Sequence, residues 1–74
     1  MSNLTLTYET KGRTAGGGEG DYRIEVYEDH ERRGDALFIV HDPRGAASGV
    51  RLEAQQQREL ARALLKNIEI GSGG

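Results

Sequence analysis

No cysteine occurs among the 74 residues, so neither a disulfide nor a thiolate metal site can hold this fold. Small secreted domains commonly need such staples. Their absence, with no apolar run near the N-terminus long enough for a signal peptide, points to the cytoplasm. Long hydrophobic runs are missing too: the longest, Ala36 to Val40, is far too short to cross a bilayer. Positive charge is not in excess. Ten Lys and Arg against twelve Asp and Glu leave a formal net charge of −2, which argues against a dedicated nucleic-acid binder. Aromatic side chains are also scarce, and Tyr27 is the one expected to be exposed on the sheet, too few for a platform on which single-stranded bases stack. Eight of the ten basic residues are Arg, a coding bias that suggests a GC-rich bacterial or phage source.

What is present is periodicity. Hydrophobic residues make up 35% of the chain and charged residues 30%, and the apolar positions recur regularly, which excludes a disordered chain. Leu4 to Glu9 alternates strictly, as a half-buried strand does, with Leu4, Leu6 and Tyr8 on one side. From Lys11 to Gly20 the period is lost and five glycines appear, predicting a flexible loop. Tyr22 to Glu28 alternates again, and Asp35 to His41 is apolar at nearly every position, the pattern of a strand covered on both faces or central in its sheet. Between them, His30 to Gly34 is a hairpin loop, and Asp42-Pro43-Arg44-Gly45 is a turn. A small-residue linker, Ala46 to Gly49, leads to a short fourth strand at Val50 to Leu52.

At Glu53 the period becomes helical. Leu60, Ala61, Leu64, Leu65 and Ile68 draw one apolar stripe among good helix formers. Glu53 is a weak cap, so the first turn is expected to fray, and Asn67 is a natural stop. The expectation is one α+β domain over residues 1–70, a three- to four-stranded antiparallel sheet with a C-terminal amphipathic helix packed on one face, and a disordered tail at 71–74. If Asp29 faces Asp35 across the hairpin loop, Val26 opposes Phe38 and Ile24 opposes Val40, and the helix covers these four with Leu4, Leu6 and Tyr8. A core of roughly a dozen side chains leaves such a small monomer little stability to spare, which an oligomer would relieve.

That register leaves Tyr27, Leu37 and Ile39 on the opposite face, framed by Thr5, Thr7, Arg23, Glu25 and His41. One helix cannot cover both faces, and exposed apolar patches tend to be interaction sites, so these three residues are the candidate contact for a protein partner or a second copy. The competing explanation is a small patch, or one crossed by the glycine-rich loop. A second candidate is the basic ridge Arg58, Arg62 and Lys66, which recurs every four residues and could track phosphates or dock an acidic partner. An ordinary solvated helix face, with positive charge near a helix C-terminus, explains the same pattern.

Signatures of chemistry are weak. Arg33-Gly34-Asp35 spells an integrin-read tripeptide, but glycine is what a hairpin end requires anyway. His30 and His41 fall at opposite ends of the sheet and cannot share a metal, and Ser48 has no base beside it. The glycine run at 16–20 enters a strand rather than a helix and carries Glu19, so it is not a phosphate cradle. The reading is therefore non-catalytic: an interaction or regulatory module that self-associates or binds a protein through the sheet. The alternative is a nucleic-acid-associated accessory protein using the basic ridge. No cofactor, metal, membrane or small-molecule ligand is expected.

Overall fold

A computed structural model of the chain describes residues 3 to 72. Four strands, β1 (Leu4–Arg13), β2 (Asp21–Asp29), β3 (Ala36–His41) and β4 (Ala47–Leu52), precede a helix, α1 (Ala54–Ser72). They pair as an antiparallel meander in the order β1-β2-β3-β4, giving the α+β arrangement read from the periodicity. The small-residue stretch from Ala47 to Gly49 is part of β4, where it lines up against β3 from Ile39 to His41. β1 is also longer than its alternation implied, running through Lys11-Gly12-Arg13 beside Arg23, Tyr22 and Asp21.

The β2–β3 register is the one deduced from the hydrophobic pattern, with Val26 opposite Phe38 and Ile24 opposite Val40. On β1 the expected face assignment fails in part. The register shifts between Leu6, which pairs with Tyr27, and Tyr8, which pairs with Val26, so Thr7 is an extra residue bulged out of the ladder. The Thr7 hydroxyl donates to Val26 O at 3.0 Å. Strict alternation in the sequence thus spans a change of parity. Leu4 and Leu6 belong with Tyr27 and Leu37, while Tyr8 belongs with Val26 and Phe38.

The turns follow from local hydrogen bonding. Asp42 Oδ1 accepts from Arg44 N and Ala46 N, both at 2.9 Å, and closes the β3–β4 turn. At the same end of the sheet, Gly20 holds φ +92°, and a Cβ there would stand 2.7 Å from Pro43 Cβ. The glycine-rich connector therefore leans on the β3–β4 turn. It closes on itself through Gly17 N to Thr14 O and Thr14 Oγ1 to Gly20 O, both 3.2 Å.

The largest departure concerns the helix. The expected packing of α1 on one face of the sheet is not what forms: from Arg58 to Gly71 every residue is exposed, and the helix meets the sheet only where it leaves β4. Its start is better capped than Glu53 implied. Gln56 Oε1 accepts from Glu53 N at 2.9 Å, the return half of a capping box. Gln57 Nε2 donates to Gly34 O at 2.7 Å and to Leu52 O at 3.0 Å. With Glu53 alone between β4 and α1, these bonds set the direction of the helix and carry it away from the sheet. It also continues past Asn67 into the expected tail as far as Ser72, and residues 73 and 74 lie outside the described residues.

The consequence is a thin, extended molecule of 43 × 31 × 15 Å. Its radius of gyration is 14.3 Å, against about 11 Å for a compact domain of this length. Ala36 is the one buried apolar residue among the described residues. The Gly20 contact supplies a local test. Gly20→Ala should destabilise by about 1–3 kcal/mol, combining the left-handed backbone with the Pro43 clash, whereas Gly16→Ala, with open space around it, should stay within about 0.5 kcal/mol of wild type. Urea denaturation of the two variants decides this, and equal effects would contradict the docking of the connector on Pro43.

Candidate functional site

Cross-strand partners point to the same side of a sheet, so the register divides the side chains into two faces. Tyr27 and Leu37 are direct partners, and Ile39, opposite Glu25, follows two residues along β3 on the same side. The three candidate contact residues are thus brought together, each half-buried. The Thr7 bulge adds Leu6, 46% exposed and paired with Tyr27, which the alternation had assigned to the other face. β4 adds Arg51 opposite Leu37 and Gly49 opposite Ile39. A Cβ on Gly49 would stand 3.6 Å from Leu37 Cδ1, an ordinary contact distance, so Leu37 lies over the edge strand at this position.

Both ends of this Leu37 face are polar. At one, His41 Nε2 donates to Glu25 Oε1 at 2.5 Å and Arg23 Nε lies 3.7 Å from Glu25 Oε2. The His41 hydrogen bond, helped by the charges of His41 and Arg23, holds the Glu25 carboxyl below its ordinary range against the opposing effect of desolvation. Desolvation first, then the adjacent Glu25 charge, push the Tyr27 hydroxyl upward.

At the other end Asp29 is buried. Its Oδ1 accepts from Glu31 N at 2.9 Å and Arg32 N at 3.3 Å, shaping the β2–β3 loop, and its Oδ2 accepts from Arg51 Nη1. Arg51 also approaches Asp35 Oδ2 at 3.9 Å. The guanidinium therefore reaches from β4 across β3 and ties the edge strand to the hairpin. From the sequence, Asp29 entered only as the residue facing Asp35 across the hairpin loop; an Asp opening a polar loop was the available signal, while its pairing with Arg51 spans 22 residues.

The Phe38 face is different in kind. Ile24, Val26, Phe38, Val40 and Val50 form its centre, joined by Tyr8 from β1, with Ser48 on the edge strand. Tyr8 is 60% and Val50 54% exposed. Toward the glycine-rich connector it opens into a shallow apolar depression lined by Tyr22, Ile24, Val40 and residues 13–16. The helix stripe is equally uncovered: Leu60, Leu64, Leu65 and Ile68 are all exposed.

The basic ridge is exposed on α1. Arg58 Nη1 donates to Gln55 Oε1 at 3.4 Å, and none of Arg58, Arg62 and Lys66 forms an ion pair among the described residues. Because the helix runs to Ser72, its last turn carries no basic residue, so the macrodipole does not account for Lys66.

Other candidates stay apart. His30 bonds Thr5 Oγ1 at the helix end of the sheet, and His41 bonds Glu25 at the connector end. Ser48 and His41 lie on opposite faces. In Arg33-Gly34-Asp35, Asp35 is half-buried and turned toward Arg51. Among the described residues no three His, Asp or Glu side chains gather to hold a metal ion, and no helix is long and apolar enough to cross a membrane. Comparison with models of known protein families, with curated proteins and with solved structures finds no match.

The Asp29 anchor makes stability pH-dependent. Arg51 first, then the loop amides, lower the Asp29 pKa below its ordinary value of 3.8. A carboxyl depressed in the folded state contributes fully above its unfolded pKa and loses that contribution as pH falls through the folded pKa. The urea midpoint of wild type should therefore hold between about pH 7 and pH 5 and drop below about pH 4. Asp29→Asn should start lower at pH 7 and fall less on acidification. Parallel pH profiles for the two proteins would show that Asp29 is not the anchor.

Proposed function

We propose that this chain is a non-catalytic interaction or regulatory module that works as a self-associated assembly, leaving the Leu37 face, built on Tyr27, Leu37 and Ile39 with Leu6, as contact surface for a protein partner. A cytoplasmic site of action suits a chain whose fold relies on no disulfide. The observation that carries this reading is exposed area. The chain presents 6115 Å² to solvent, whereas a folded monomer of 8.1 kDa presents about 4,500 Å². The surplus is about 1,600 Å², and a standard interface needs about 800 Å² from each partner. A sheet with a lone helix projecting from it lacks the second layer that domains require around a core.

The nucleic-acid reading has one observation in its favour, the free basic ridge on a projecting helix. It stands second because Glu59 lies within the ridge and the net charge is −2. It predicts weak binding that falls steeply with salt and disappears in the triple variant Arg58→Glu/Arg62→Glu/Lys66→Glu. A wild-type chain that causes no mobility shift at low salt removes it.

For self-association the measurement is sedimentation equilibrium together with urea denaturation at several chain concentrations. If folding and dimer formation are coupled, each tenfold rise in concentration adds about 1.4 kcal/mol to the apparent stability. A monomer at the highest concentration, with a midpoint independent of concentration, would sink the proposal.

A further inference from the structure

We infer that the second layer is supplied by helix exchange: the apolar stripe of α1 in one copy covers the Phe38 face of a second copy, and the second copy's helix returns the contact. The inference rests on the self-association just proposed and names its surfaces.

Three observations select these two surfaces. The first is that they are both apolar, both uncovered and carried by the same chain. Leu60, Leu64, Leu65 and Ile68 project along one side of α1, and Tyr8, Val26, Phe38 and Val50 cross the sheet from edge to edge. Four strands spaced about 4.8 Å apart are wide enough to seat one helix about 10 Å in diameter.

The second is the joint. Glu53 alone connects β4 to α1, and the first turn is held by Gln57 to the backbone of Gly34 and Leu52. A helix so fixed is directed off its own sheet, with both Gln57 bonds made in that direction. Docking on another copy keeps them.

The third is the contrast between the faces. The Leu37 face carries Arg23, Glu25, His41, Asp29 and Arg51, so covering it with a helix would remove charged groups from water. The Phe38 face carries Glu28 at its helix end, but its centre carries no charge, with Ile24, Val26, Phe38, Val40, Ser48 and Val50 occupying it. Apolar cover therefore belongs on the Phe38 face, and the Leu37 face remains open.

The experiment is an isotope-filtered NOE measurement on a sample mixed from carbon-13-labelled and unlabelled wild-type chain, after sedimentation has established its mass. Intermolecular NOEs from the methyls of Leu64, Leu65 and Ile68 to Val26, Val50 and the rings of Tyr8 and Phe38 are expected. The same NOEs found only within one chain would show the helix folded onto its own sheet and overturn helix exchange. A dimer whose intermolecular NOEs run instead to Leu37 and Ile39, or that has none from the helix stripe to a sheet, overturns it too, while self-association stands. A monomer overturns both.

Discussion

A single residue, Glu53, stands between the last strand and the helix, and the direction imposed by that joint governs how everything else is exposed. A helix can close a sheet in its own chain only if the connection lets it turn back over a face. Here Gln56 satisfies the Glu53 amide and Gln57 grips two backbone carbonyls, so the first turn is tied into the β2–β3 hairpin and the end of β4. Side-chain amides in a first helical turn are usually regarded as caps. In this chain they also act as an alignment device, and the apolar stripe beyond them extends into solvent.

The sheet is correspondingly dependent on hydrogen bonds and ion pairs at its margins. Asp29 and Arg51 hold the hairpin to the edge strand at the helix end, while Asp42 and the Gly20–Pro43 contact shape the connector end. Between them, β2 and β3 supply half-buried side chains on both faces. An antiparallel sheet with only one layer has few apolar groups removed from water on either side, and three or more strands gain independent stability chiefly by packing a hydrophobic face against something. The polar anchors fix register and turn geometry, but they do not replace that packing.

The strands and the helix were legible because their periods are distinct: two in Tyr22 to Glu28, nearly continuous apolar in Asp35 to His41, helical from Glu53 onward. The β2–β3 register followed from pairing the larger apolar sets, and the structure has it. Two features were not legible. The Thr7 bulge changes the parity of β1 without interrupting its alternation, so Leu4 and Leu6 changed faces unannounced. The direction of α1 depends on Gln57 meeting Gly34, 23 residues away, and no periodicity encodes such a contact. The assembly of Tyr27, Leu37 and Ile39 into one patch was readable for the same reason as the register, whereas the Asp29–Arg51 anchor needed the chain to be folded.

The proposed helix exchange would also account for how self-association could stop. A chain that offers an apolar helix at one end and an apolar sheet face elsewhere presents a heterologous contact, and heterologous contacts extend into open filaments unless the geometry closes. Reciprocal exchange between two copies makes the contact isologous, consuming both surfaces of both chains at once. What would remain outside is the charged Leu37 face and the basic ridge of α1, surfaces that tolerate water and resist further stacking. The edge strands are consistent with that end point: β1 carries Lys11 and Arg13 along its outer half, and β4 presents Gly49 and Arg51 rather than a continuous apolar edge. The proposed closed dimer would thus leave each Leu37 face solvated, with its Glu25 and Asp29 pairs already satisfied and Leu6, Tyr27, Leu37 and Ile39 between them as the apolar ground on which a partner could settle.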